Sequence, residues 1–163
     1  MIIDFDKLTT GNTDEVWQTT FETDLMSYVR ATEYTAPLIE QSNGGSIIYI
    51  SSVASMRPSK RKPAYGAIKA AINQYTQTQA VELAKMNIRV NTIAPGSVDI
   101  PGGSLDKARI DNNDLVNYME STIPAGRFGT VDDISAVALF LASQPGSWIT
   151  GQVIVADGGQ ILV

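Results

Sequence analysis

Trp17, Phe21, Leu25 and Val29 recur at steps of four, an apolar stripe that predicts a helix with one face turned to a core. The helix is expected to start near Thr13, where Asn12 or Thr13 can cap it and Asp14 and Glu15 suit the positive end of its dipole. Pro37 is a candidate kink near its end, and Asn43-Gly44-Gly45 stops it. Residues 1–12, mixed and ending in Gly11-Asn12, read as an arm or loop. The pattern then shortens. Ser46–Ser51 is a brief β-branched run expected to form a strand, and a loop rich in proline, serine and basic residues leads from it to Pro63. A long helix is predicted over about Ala64 to Met86, and a second strand over Ile88–Ala94, ended by Pro95-Gly96. Residues 97–129 look irregular, apart from a helix around Asp111–Ser121. Thr130 and Asp133 have the spacing of a capping box and predict a helix over Val131–Ser143. Gln152–Ala156 is the last strand, closed by Asp157-Gly158-Gly159.

Three strands alternating with helices predict an α/β fold, a partial Rossmann-like, doubly wound parallel sheet with right-handed crossovers. No internal repeat, low-complexity tract or linker interrupts the pattern, so residues 1–163 read as a single domain.

Composition narrows the chemistry rather than the fold. The chain is 44% hydrophobic and 18% charged, ordinary values for a globular protein. A net charge of −5 argues against a nucleic-acid partner, which needs a basic footprint. With no cysteine there is no disulfide or thiolate chemistry, which fits a reducing cytoplasm. With no histidine, Ser-His-Asp hydrolysis and histidine-ligated zinc are excluded, and no metal site is expected. Met1-Ile2-Ile3-Asp4 does not open a signal peptide, and no apolar run reaches the length of a membrane span. A cytoplasmic chain without a membrane partner is the expectation, and any acid–base chemistry must rest on Tyr, Lys, Asp or Glu.

Tyr65-Gly66-Ala67-Ile68-Lys69 supplies two of those types four residues apart in a predicted helix, so both side chains leave one face. A tyrosine is a poor acid or base near neutral pH, but an ammonium held nearby favours the phenolate and makes proton transfer usable. Ser52, thirteen residues upstream of Tyr65, can hold and polarise the same substrate oxygen. The set suits interconversion of an alcohol and a ketone, provided a cofactor carries the hydride. Yet no Gly-x-Gly-x-x-Gly occurs anywhere in the chain. Arg57, Lys60, Arg61 and Lys62 add a basic run between Ser52 and Tyr65; it is a solvated loop or a contact for an anionic substrate tail.

With Ser52, Tyr65, Lys69, Ile88-Arg89-Val90-Asn91 and Pro95-Gly96 in view, the chain resembles the short-chain dehydrogenase/reductases. The likeness continues through Pro124–Gly129, Leu139–Ser143 and Thr150-Gly151 to Asp157-Gly158-Gly159. The resemblance implies that Tyr65 is the proton donor and acceptor, that Lys69 binds the nicotinamide ribose and supports the tyrosine, and that Ser52 orients the substrate oxygen. It implies NAD or NADP as cofactor, with the choice left open, and a small alcohol or ketone as substrate. Pro95, Gly96, Ser97 and Val98 resemble the segment that packs against the nicotinamide. Asp24, followed by Leu25, stands where the family usually has a catalytic asparagine, and Ile100 stands where a threonine is common. The match is to the C-terminal portion of the family, without the glycine-rich half. Family members assemble through their first two long helices and their last helix and strand, which implies a homo-oligomer, a dimer or tetramer. An alternative is a non-catalytic, truncated chain that only self-associates or binds a partner. Without its neighbour, the Ser46–Ser51 strand is expected to be a bare sheet edge.

Overall fold

A computed structural model describes residues 12–60 and 62–163. The arm expected over residues 1–11 and the basic residue Arg61 lie outside the described residues.

The first helical stretch runs as α1 (Asp14–Thr20), a π-helical segment (Phe21–Met26) and α2 (Ser27–Gln41). Thr13 caps it, its hydroxyl accepting the Val16 N–H. The π segment was not legible in the stripe of apolar residues. There the Ser27 N–H reaches back five residues to the Glu22 carbonyl, the wider turn that often marks a functional site. Pro37 lies inside α2 and does not end it; the chain turns out of the helix through Asn43 and Gly44, both at positive φ. Strand β1 (Gly45–Ile50) follows, then α3 (Pro63–Leu83), β2 (Ile88–Pro95), α4 (Ser104–Ser121), α5 (Val131–Ala142) and β3 (Val153–Ala156).

The sheet is parallel throughout, in the order β1-β2-β3, with Tyr49 opposite Thr92 and Ile93 opposite Ile154. Successive strand residues alternate faces. On one face Tyr49, Ile88 and Val90 pack with Ala36 of α2 and Ile72, Ala80 and Leu83 of α3. On the other, α5 lies across all three strands, with Leu141 fully buried and its carbonyl receiving the Ser46 hydroxyl at 3.4 Å. Helices on both faces of a parallel sheet are the doubly wound arrangement expected from the sequence. Loss of the Thr130 hydroxyl, which accepts the Asp133 N–H in the expected capping box, should cost about 1 kcal/mol of stability, measurable by urea denaturation.

Two expectations change. The helix expected over 111–121 begins earlier, at Ser104, and kinks at Asn112, where φ is −157° and ψ 86°. Asn112 Oδ1 then accepts the Leu115 N–H, so the predicted portion is a second, separately capped segment. The first portion is held by contacts that carry no periodicity: Gly102 N–H to Asp106 at 2.7 Å, and Arg109 to Asp106 at 3.0 Å. The edge of β1 is also less bare than expected. Because the Ser51 N–H bonds across the ladder to Ile93, the Ile50 backbone groups face outward. The Tyr28 hydroxyl takes both, at 3.2 and 3.3 Å.

Burial pushes Tyr49 up to about 12 from 10.0, against the opposing effect of its hydrogen bond with Thr32. A raised folded-state value means stability that is intact below pH 10 and lost as pH rises toward 12. Urea midpoints should therefore decline across that interval, and less steeply in Tyr49→Phe; parallel declines would contradict this.

Candidate active site

Each wall of the site comes from the carboxyl end of a strand or from the helix that follows it. At the end of β1, Ser52 leaves the strand and caps a single 3₁₀ turn, Val53–Ser55, its hydroxyl accepting the Ala54 N–H at 3.1 Å. The neighbouring Ser51, buried in the structure, donates its hydroxyl to the Lys69 carbonyl at 2.9 Å and so fixes α3 against the strand. Gly66, in the first turns of α3, has no room for a Cβ: Ser59 Cβ and the Ala54 carbonyl would lie 2.8 and 2.9 Å from it. Its bareness lets the loop carrying Ser52 close onto the helix beside Tyr65.

At the end of β2, Gly96 is equally confined, with Asp157 Cβ and Gln160 Oε1 each 2.7 Å from where its Cβ would stand. Gln160 is buried and grips the next residue twice, accepting the Ser97 N–H at 2.8 Å and donating to the Ser97 hydroxyl at 3.0 Å. Val98 pairs with Gly129 as an isolated bridge. Farther out, the bidentate Arg109 contact holds the Asp99 carboxyl below its usual range.

Ser52, Tyr65, Pro95, Gly96, Ser97 and Val98 line one cleft of about 640 Å³. Its remaining wall is mostly apolar, with Ile100, Leu105 and Met119 on the α4 side and Ile134 and Ala138 on α5. The Tyr65 hydroxyl has no hydrogen bond to another described residue.

Lys69 and Asp24 do not line the cleft; they stand behind Tyr65. The Lys69 ammonium is 3.1 Å from Asp24 Oδ2, 3.3 Å from the Ile50 carbonyl and 5.4 Å from the centre of the Tyr65 ring. Their side chains are 11% and 27% exposed, so the pair is largely withdrawn from water. An ammonium has three donors, and two are engaged here. Asp24 sits in the π-helical segment, and its carboxylate meets Lys69 of α3. Six of the eight sequence-derived site residues thus meet in the cleft, and the other two form an ion pair behind it.

Sequence reasoning missed Ser51 and Gln160, which shape the site through contacts 18 and 63 residues apart. Of the basic run, Arg57 borders an adjoining cleft of about 560 Å³ that shares Met119 with the first, and it donates to the Gln160 carbonyl at 3.3 Å. Among the described residues no cluster of acidic side chains could hold a metal ion, and no helix is long and apolar enough to cross a membrane.

A family model described as Enoyl-(Acyl carrier protein) reductase matches residues 3–160. The chain belongs to the short-chain dehydrogenase/reductase family. It is 36% identical over 151 residues to the 3-oxoacyl-(acyl-carrier-protein) reductase FabG of Thermotoga maritima, covering 91% of this chain and 58% of that protein. A short-chain type dehydrogenase/reductase from Mycobacterium ulcerans superposes with a TM-score of 0.84 at 33% identity, over 94% of this chain and 55% of that one. Two further similar folds were solved with nicotinamide cofactors. ElxO, with NADP bound, has a TM-score of 0.85 at 25% identity, over 94% of this chain and 61% of its own. A 4-hydroxyisoleucine dehydrogenase mutant, with NADH and succinate, has a TM-score of 0.83 at 28% identity, over 93% and 61%. The chain therefore spans roughly three-fifths of its short-chain dehydrogenase/reductase relatives.

Proposed function

We propose that the protein interconverts an alcohol and a ketone with a nicotinamide cofactor, NAD or NADP, and that Tyr65 moves the proton. The observation that carries this is the single cleft in which Ser52, Tyr65 and the Pro95–Val98 segment converge, backed by Lys69. When bound, the nicotinamide would supply or accept the hydride at the carbon of the substrate. Pro95, Gly96, Ser97 and Val98 form a wall suited to its flat ring, and the remaining Lys69 donor suits the ribose.

In the reducing direction, the Tyr65 hydroxyl donates its proton to the substrate oxygen. The Ser52 oxygen already accepts the Ala54 N–H, so its own proton is free to bond the same substrate oxygen as negative charge develops there. Lys69 places a positive charge 5.4 Å from the centre of the Tyr65 ring, on the side of the site where negative charge develops during the transfer. Asp24 keeps the ammonium in place. Reversing each step gives oxidation of the alcohol. The apolar lining fits a substrate with a hydrocarbon body next to its reacting oxygen.

A second, non-catalytic role as a self-associating module has its own support. Tyr34 and Leu38 on α2, Val81 on α3, Leu139 on α5, and Trp148 and Leu162 near the C-terminus are all exposed. Apolar side chains in that number are what a subunit interface would cover, and a homo-oligomer is proposed on this ground. Titration of the chain with NADH and NADPH separates the roles. Saturable binding, with cofactor oxidation when a ketone is added, supports the enzyme. Absence of both, in a chain that sediments as an oligomer, supports the module; a monomeric active chain would remove the self-association.

A further inference from the structure

Tyr65, Lys69 and Asn73 stand at successive turns of α3, so the helix face that carries the proton-handling pair continues to a third polar side chain. Asn73 Nδ2 is 2.9 Å from Ser55 Oγ, and Ser55 Oγ is 2.5 Å from the Ser52 carbonyl. The direction of these bonds follows from donor counting. A carbonyl cannot donate, so Ser55 must spend its only proton on Ser52. Ser55 can then only accept from Asn73, which fixes the amide with its NH₂ toward Ser55. The Ser52 carbonyl also receives the Ser55 N–H at 3.0 Å. The result is a one-way chain from Asn73 through Ser55 to the backbone of Ser52, which lines the cleft and whose hydroxyl accepts the Ala54 N–H at 3.1 Å.

That orientation leaves a cost. Asn73 Oδ1 is the one described buried side-chain atom without a hydrogen-bond partner. An apolar side chain at 73 would remove that cost, but it would also remove the Nδ2 donor that Ser55 accepts.

We propose that Asn73 is a positioning residue for Ser52, acting through the Ser55 hydroxyl and locking the substrate-orienting serine to the helix that bears Tyr65. The proposal rests on the assignment of Ser52 to the substrate oxygen. If it holds, Asn73→Ala and Ser55→Ala should each lower kcat by about ten- to a hundredfold, as expected for a displaced orienting group. The double variant should be no worse than either single one, because both cut the same chain. Nicotinamide affinity and the thermal midpoint should stay near those of the native chain in Asn73→Ala, and Ser55→Thr, which keeps the hydroxyl, should retain most of the turnover.

Amide exchange of Ala54 and Ser55 in the cofactor-free chain supplies a readout independent of activity. It should quicken by about tenfold in both alanine variants, since these two N–H groups report on the bonds to Ser52. Unchanged exchange overturns the proposal. So does quickened exchange with kcat within about twofold of the native value, or a double variant whose losses multiply. A native chain that turns over no ketone would defeat the enzymatic assignment and with it the role of Ser52, while the exchange measurement would still decide whether the Asn73 clamp exists.

Discussion

Replacing Tyr65 by phenylalanine should lower ketone reduction by about 10²- to 10⁴-fold, the range expected when a positioned general acid is removed. The substitution deletes one oxygen that no described residue bonds. The ring keeps its place under Lys69, and the helix turn keeps the close approach of Gly66 to Ala54 and Ser59. Affinity for the reduced nicotinamide and the thermal midpoint should therefore remain close to native, isolating the loss in kcat. Comparable turnover in the native chain and in Tyr65→Phe would mean that another group moves the proton. Ser52→Ala tests the neighbouring role, and its loss is expected to be smaller because the substrate oxygen would keep its contact with Tyr65.

The second large effect separates the two halves of the Lys69–Asp24 pair. Lys69→Met removes the charge over Tyr65 and leaves the Asp24 carboxylate, 27% exposed, without its cation at 3.1 Å. Turnover should fall by about 10²- to 10³-fold, as when one preorganised electrostatic contact is lost. Stability should fall by about 1–2 kcal/mol, less than for a fully buried pair because Asp24 still reaches water. Asp24→Asn is expected to behave differently. An amide oxygen still accepts from the ammonium, and the Ile50 carbonyl contact at 3.3 Å survives, so turnover should change only a few-fold. Kinetics and urea midpoints for both variants and their double mutant would show the coupling. An Asp24→Asn variant as impaired as Lys69→Met would make the carboxylate itself the working group.

How much of this could be read from the sequence depends on which contacts repeat with a period. Helices α2, α3 and α5, the three strands and the capping box at Thr130 follow from spacing and local donor–acceptor logic, and each was legible. So were Tyr65 and Lys69 as neighbours on one helix face, because four residues close one turn. The π-helical segment that carries Asp24 was not. It is bound up with a tertiary ion pair to Lys69, 45 residues on, and the apolar step of four is blind to it. The first half of α4 was hidden for a related reason: Leu105 packs with Val116, Ile123 and Phe128, a small core that forms only once the 123–129 loop folds back. Gln160 on Ser97 and Ser51 on α3 are single side chains meeting distant backbone, and neither has a motif. Asp24 itself was found only through the family resemblance, and the structure supplies the physical reason for attending to it.

The nicotinamide end of a cofactor is expected to meet this chain at Tyr65, Lys69 and the Pro95–Val98 segment. Titration with reduced nicotinamide mononucleotide, followed by amide chemical shifts, tests it most directly, because that molecule lacks the adenosine whose cradle the sequence does not display. Saturable shifts confined to Ser52, Tyr65, Lys69, Gly96, Ser97 and Val98 are the expected result. No saturable shift at these residues, or shifts centred elsewhere on the chain, would contradict the account.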